Sequence, residues 1–334
     1  MNRFLISLLI LPCLAAPAFA ADMEITPFRT INQSPLTQIF GLPAETGATV
    51  TPQGHFSLAL TQDIANDFAL DSLQNERIHL DGESYRWTAS ARYGIADGFE
   101  AGMEIPYILY GGGIFDNFIE GWHKFFGFPN EGRPSVPRDR LSFTYVKDGV
   151  QKLTMNHAAS GIGDISLTGA MRLYDSRDEA SHDSLALRAS LKLPSGDSAA
   201  LRGSGSTDVA LLLCGSSNSF TEWGTLGAFG SLGGMAMTDG NVLRDQQRNL
   251  VGLGTVGVGW GPAEWISFKF QVNWNTPFYR DSSLAELSQT SLMLVSGGAL
   301  KLPGDYLLDI GVSEDLAVST APDVALHLGL SKRF

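Results

Sequence analysis

The chain is poor in cysteine, poor in charge and, beyond its first twenty residues, without a long apolar run. Only Cys13 and Cys214 occur in 334 residues. If Cys13 leaves with a leader, Cys214 has no partner, and no internal disulfide holds the fold. Charged residues make up 17% of the chain, against about 25% in ordinary soluble domains. The formal net charge is −12 and there is no basic patch, which excludes nucleic acid as a partner. No stretch after residue 20 reaches the roughly 20 apolar residues of a spanning helix. HExxH, CxxC and P-loop patterns are missing, so neither a metal nor a cofactor is expected.

What is present begins with an export signal. Arg3 precedes an apolar core at residues 4–11, and Ala18-Phe19-Ala20 is a small-x-small cleavage site, placing the cut after Ala20. Glycine is abundant, at 37 residues. An exported, glycine-rich chain of low charge is either a soluble β-sandwich or an outer-membrane barrel, and alternation decides. Ile266, Phe268, Phe270, Val272 and Trp274 share one face, and Ser267, Lys269, Gln271 and Asn273 the other. Phe278 and Tyr279 extend the apolar face as an interface girdle would. Five further segments, around residues 89, 103, 168, 189 and 309, repeat the pattern.

Twelve strands are expected, centred near residues 59, 89, 103, 168, 189, 211, 227, 255, 270, 295, 309 and 328. Long links (65–83, 110–160, 195–206, 233–248, 276–289) alternate with shorter ones (96–98, 175–182, 216–221, 261–264, 303–305), and only 315–322 is short for its side. A soluble sandwich has no reason to sort its loops by parity. An up-and-down transmembrane antiparallel β-barrel does, with short turns in the periplasm. The last strand aligns Leu326, Leu328, Leu330 and the terminal Phe334 on one face, like a recognition signal for the barrel-assembly machinery. The expected plan is a signal peptide at 1–20, a periplasmic tail or lumenal plug at 21–50, and an all-β outer-membrane barrel at 51–334.

Candidate lumen-lining charges are Arg86, Arg92, Glu100, Glu104, Arg172, Arg188 and Lys192 on the early strands and Lys269, Asp309 and His327 on the late ones. They would form either a selective constriction or a salt-bridge network filling the interior. No inward charge is expected between Lys192 and Lys269, where Ala210, Leu212, Cys214, Gly227 and Gly252 are the interior candidates. One segment breaks the strand rhythm. Phe115, Phe118, Ile119, Trp122, Phe125 and Phe126 recur at helical spacing inside the long link 110–160. Such a stripe must be buried: in the lumen or over its mouth as a gate, in the membrane interface, or on neighbouring loops.

Catalytic signals are thin. His157 lies three residues before Ser160, but a nucleophile and base need a geometry that spacing does not supply. Glu120 and His123 are too few for a metal site. The composition and pattern support a passive channel for a small amphipathic or hydrophobic solute, gated by loop 110–160. A non-conducting envelope barrel and a lipid-modifying enzyme are the alternatives. Expected partners are outer-membrane lipid and lipopolysaccharide, the assembly machinery and an unidentified solute.

"PFRTINQSPLTQIFGLP" (27–43), "FIEGWHKFFGFPNEGRP" (118–134), "GIGD" (161–164) and "KLPSG" (192–196) together resemble a bacterial outer-membrane family, the domain of unknown function 3187 family. The resemblance spans the chain after the leader. It implies the compartment and the barrel, and no activity.

Overall fold

The structure, a computed structural model, describes residues 23–113, 140–316 and 320–334. The leader 1–20 and the stripe Phe115, Phe118, Ile119, Trp122, Phe125 and Phe126 lie outside the described residues, as do Glu120 and His123.

The strands run in chain order as β1 (Phe56–Leu73), β2 (Glu76–Ala96), β3 (Phe99–Gly111), β4 (Ser142–Lys147), β5 (Val150–Met155), β6 (Ala159–Ile162), β7 (Ser166–Arg177), β8 (Ser181–Lys192), β9 (Asp208–Thr221), β10 (Gly224–Met237), β11 (Leu250–Ala263), β12 (Ile266–Asn275), β13 (Ser291–Leu302), β14 (Tyr306–Asp315) and β15 (Val324–Arg333). Twelve of them, all but β4 to β6, close an antiparallel ring in which β1 pairs with both β2 and β15 and β3 pairs with β7. Closure leaves no edge in the ring. At the seam Phe56 and Phe334 exchange backbone hydrogen bonds of 3.2 and 2.8 Å.

The alternation is the membrane's doing. Leu58, Leu60, Met103, Leu167, Leu211, Val258, Phe268, Phe270 and Ile310 are exposed on the outer wall, where apolar side chains meet lipid. Tyr93, Phe99, Trp223, Trp265, Tyr306 and Phe334 are exposed at the short-turn end, as one aromatic girdle. Phe278 and Tyr279 are not part of the other. They turn inward and are each 2% exposed, with Phe278 stacked on Phe40 at 4.5 Å. Loop residues beyond the strand ends are free of the period of two, so alternation does not decide their side.

Three more expectations are corrected. The link 65–83 is strand: β1 and β2 overrun the barrel and turn at Gln74–Asn75. Beyond the membrane band no lipid imposes alternation, so these strands leave no sequence signature. The link 110–160 holds strands of its own, because the β2 overhang supplies an edge on which the β4–β5 hairpin pairs. Gly252 is paired between outward positions and lies beside Trp274 on the outer wall, while Leu253, Thr255, Gly257 and Gly259 of β11 face inward.

At the long-loop end the barrel is roofed by an apolar core. Ile78 and Leu80 of β2, Phe143 and Tyr145 of the hairpin, Leu201, Val242, Leu243, Phe278 and Leu284 pack around Leu36, Ile39 and Phe40. A short helix α1 (Ala285–Ser288) contributes Leu287.

Candidate functional site in the barrel lumen

The segment from Met23 to Thr51 has no regular secondary structure, yet Ile25, Phe28, Gln33, Leu36, Gln38, Ile39 and Phe40 are each at most 2% exposed. Its partners trace its course. Ile25 N–H donates to Asn218 Oδ1 near the short-turn end of β9, at 2.8 Å. Gln271 accepts from Phe28 N–H at 2.8 Å and donates to its carbonyl at 3.1 Å. Asn32 reaches Ser291 and the Thr320 carbonyl at the long-loop end. A turn at Ser34–Phe40 sits under the roof, where the Tyr279 hydroxyl donates to Leu36 O at 2.9 Å. Burial pushes that phenol far above the usual tyrosine range. The chain then returns past Gly41, which donates to Asp208, and Thr51, which donates to Glu100. It runs into β1. Up and down, the segment fills the lumen.

The inward charges close on it. Arg188 donates to Gly47 O at 2.7 Å and Thr49 O at 2.8 Å while pairing with Glu100 at 2.9 Å. Glu104 binds Arg29 of the segment and Arg92 of the wall, both at 2.9 Å. Arg86 donates to Gln38 O. Lys192 sits between Asp164 (2.6 Å) and Asp208 (3.2 Å) and reaches the Ile39 carbonyl at 3.4 Å. Lys269 pairs with Asp309, donates to Thr26 O and lies 4.0 Å from the centre of the Phe28 ring, a cation–π contact. His327 bonds Asp63, which accepts from Thr30, and meets Phe28 edge-on at 6.0 Å. Every candidate lumen charge except Arg172 thus touches the segment or a group that holds it. Arg172 instead pairs with exposed Asp97 at the short-turn rim.

Asp208 and Glu45 carry no signal in the sequence pattern. Asp208, the first residue of β9, lies on the wall expected to be uncharged and is 1% exposed. It sits at the strand's end, where alternation does not fix which way a residue points. Glu45 belongs to the segment and accepts from its own backbone at Thr46 and Gly47. The middle wall does hold small and apolar residues at Ala210, Leu212, Cys214 and Gly227, and the segment packs there. A Cβ on Gly227 would lie 2.4 Å from Ile25 Cβ, and one on Gly259 would lie 2.6 Å from Ile25 Cγ2. These glycines make room for the segment. Gly227→Val should therefore lower stability by about 1–3 kcal/mol through overpacking. Adding Ile25→Gly, which removes the clashing Cβ, should restore part of it, read as the unfolding midpoint in detergent; a neutral Gly227→Val would show that Ile25 does not seat there.

Cavities of about 20–30 Å³ remain between segment and wall, room for single waters. A larger one of about 330 Å³ opens at the short-turn end. His157 and Ser160 are both exposed at the long-loop rim, and no hydrogen bond joins them among the described residues. Among the same residues no group of three or more metal-ligating side chains occurs.

A family model described as protein of unknown function (DUF3187) matches residues 3–334. The chain belongs to that family. None of the curated proteins compared with it matches in sequence. Among solved structures, an outer-membrane channel from Pseudomonas putida F1 superposes with a TM-score of 0.53 at 12% identity, covering 86% of this chain and 97% of that one. The autotransporter translocator domain from Neisseria meningitidis (TM-score 0.40, 11% identity, 84% and 89% coverage) and a toluene transporter from Ralstonia pickettii (0.34, 12%, 91% and 98%) are too distant to bear on the fold. This DUF3187 protein is an outer-membrane β-barrel.

Proposed function

We propose that this DUF3187 barrel is a channel for a small amphipathic or hydrophobic solute, kept shut at rest by its own N-terminal segment. One observation carries the reading: the inward charges bind the segment's carbonyls and polar side chains, so the lumen is built to hold something removable and polar-backed. Withdrawal of the segment would expose one wall bearing Arg86, Arg92, Glu100, Glu104 and Arg188, with an apolar wall at Ala210, Leu212 and Cys214. Such a passage suits an amphipathic solute. Loop 110–160 would add a second barrier, since its β4–β5 hairpin packs into the roof. The similarity to an outer-membrane channel agrees with this reading at the level of fold.

The roof favours a second reading, a non-conducting barrel with an envelope role, because its apolar core would have to part before anything crossed. Chemistry on lipid has no support in the placement of His157 and Ser160. The barrel's partners would be outer-membrane lipid and lipopolysaccharide around the wall, and the assembly machinery at the β15 end.

The test is single-channel recording in planar bilayers. The intact protein should show rare, brief openings. Arg188→Ala cuts the grip on the returning leg and should raise open probability about tenfold, each hydrogen bond to a charged group being worth about 1.5–3 kcal/mol. Silence from both, in folded protein, would favour the envelope role.

A further inference from the structure

The cavity at the short-turn end is lined by Arg29 of the segment and Arg92 of β2, with Lys301 and Arg333 nearer its mouth. Two of its three carboxylates are engaged by cations outside the cavity, and the third lies beside Lys301 of its own wall. Asp309 is held by buried Lys269, Glu24 by Arg177 at 2.6 Å and His182 at 2.8 Å, and Asp305 lies 3.7 Å from Lys301. Behind the cavity three guanidinium groups, Arg29, Arg92 and Arg188, share two carboxylates, Glu100 and Glu104. Buried Glu45 lines the adjoining small cavity with Arg92, Glu104 and Arg188, so that inner group is balanced, and the positive excess lies in the wall of the larger cavity, where Arg29, Arg92, Lys301, Lys332 and Arg333 face Glu24, Asp305 and Asp309. Both lining arginines also carry a buried Nε–H that meets no hydrogen-bond acceptor, and Arg92 Nε comes no closer than 3.7 Å to Glu100. A buried donor without an acceptor and a cation without its full countercharge are both costly. One small anion would offset the excess of cations lining the cavity, and about 330 Å³ accommodates one.

We infer that this cavity is a binding site for a small carboxylate or phosphate anion, entered from the short-turn end. The site stands whether or not the barrel conducts. Its anion could arrive free in solution or as the headgroup phosphate of a lipid.

The test is calorimetric titration of the full-length folded protein with orthophosphate and with acetate, at constant ionic strength in a neutral detergent. Saturable binding is expected with both. Arg92→Gln should weaken it about tenfold, through loss of a charge-assisted donor. Arg333→Gln at the mouth should weaken it about threefold. Glu104→Gln should tighten it, because it removes a competing carboxylate and raises the positive excess. Gel mobility before and after heating checks folding, and if Arg92→Gln does not fold, Arg333→Gln and Lys301→Gln carry the test. Absence of saturable binding to the folded protein, or binding that none of these substitutions moves, overturns the site. Repeating the phosphate titration in phosphatidylglycerol and phosphatidylcholine nanodiscs separates the sources. Affinity lower in either lipid than in neutral detergent assigns the site to a lipid phosphate, and affinity in both lipids equal to that in detergent assigns it to the dissolved anion.

Discussion

A chain lacking residues 23–50 should conduct ions at least about tenfold better than the intact protein in planar bilayers. Past the cavity of about 330 Å³ at the short-turn end, the cavities found beside the segment among the described residues are about 20–30 Å³, too little for a continuous water column. Without the segment, the inward faces of twelve strands enclose a polar interior, and water takes over the hydrogen bonds that Arg188, Lys269 and Gln271 now make to Gly47, Thr26 and Phe28. The deletion also removes buried Ile25, Phe28, Ile31, Leu36, Ile39 and Phe40, each worth about 1.5–3 kcal/mol. The truncated barrel should thus melt lower, yet its strand ladders are untouched. A synthetic peptide of residues 23–50 added from the short-turn side should depress the current. Equal silence in the presence and absence of the segment would leave the roof as a sufficient seal and favour the non-conducting reading.

Lys192→Met should be the most damaging single substitution, costing about 3–5 kcal/mol of stability. Its ammonium is flanked by Asp164 and Asp208, whose side chains are 4% and 0% exposed. It also donates to Ser204 at 2.6 Å and reaches the Ile39 carbonyl under the roof. Methionine fills much of the same space but leaves two buried carboxylates without their cation. Thermal unfolding in detergent reads the loss, and adding Asp164→Asn and Asp208→Asn should recover a large part of it. A small loss from Lys192→Met alone would mean that water reaches this site.

The twelve strands were legible because lipid and lumen impose opposite demands on successive residues, as in Ile266 to Trp274. Alternation marked Arg188 and Lys269, which meet the segment, but it also marked Arg172, which pairs with Asp97 at the rim, and it did not mark buried Asp63 or Asp208. What the inward charges bind was not legible. Arg188, Lys192 and Lys269 have partners 139 to 243 residues away, among them backbone carbonyls that carry no side-chain signature. The segment itself has no period, since its residues are buried by side chains from several different strands. Gly227 and Gly259 were its one trace in the barrel sequence: inward glycines facing each other across a strand pair mark a close approach of other chain. The overhang of β1 and β2 left no such trace because its sequence, like that of Asp208, lies past the band where alternation is enforced.

The segment enters and leaves the lumen at the same end, with its reversal at Ser34–Phe40 under the roof and its second leg continuous with β1. A tension applied at Met23 from the short-turn side therefore loads its contacts in series, Asn218 first, then Lys269 and Gln271, then Asp63, and the roof last. The bonds peel one after another, and no free end has to thread past the barrel wall. In mechanical terms the segment is a zipper fastened at its far end, weak to a pull along its first leg and resistant to a push from the short-turn side, which would press the turn against the roof.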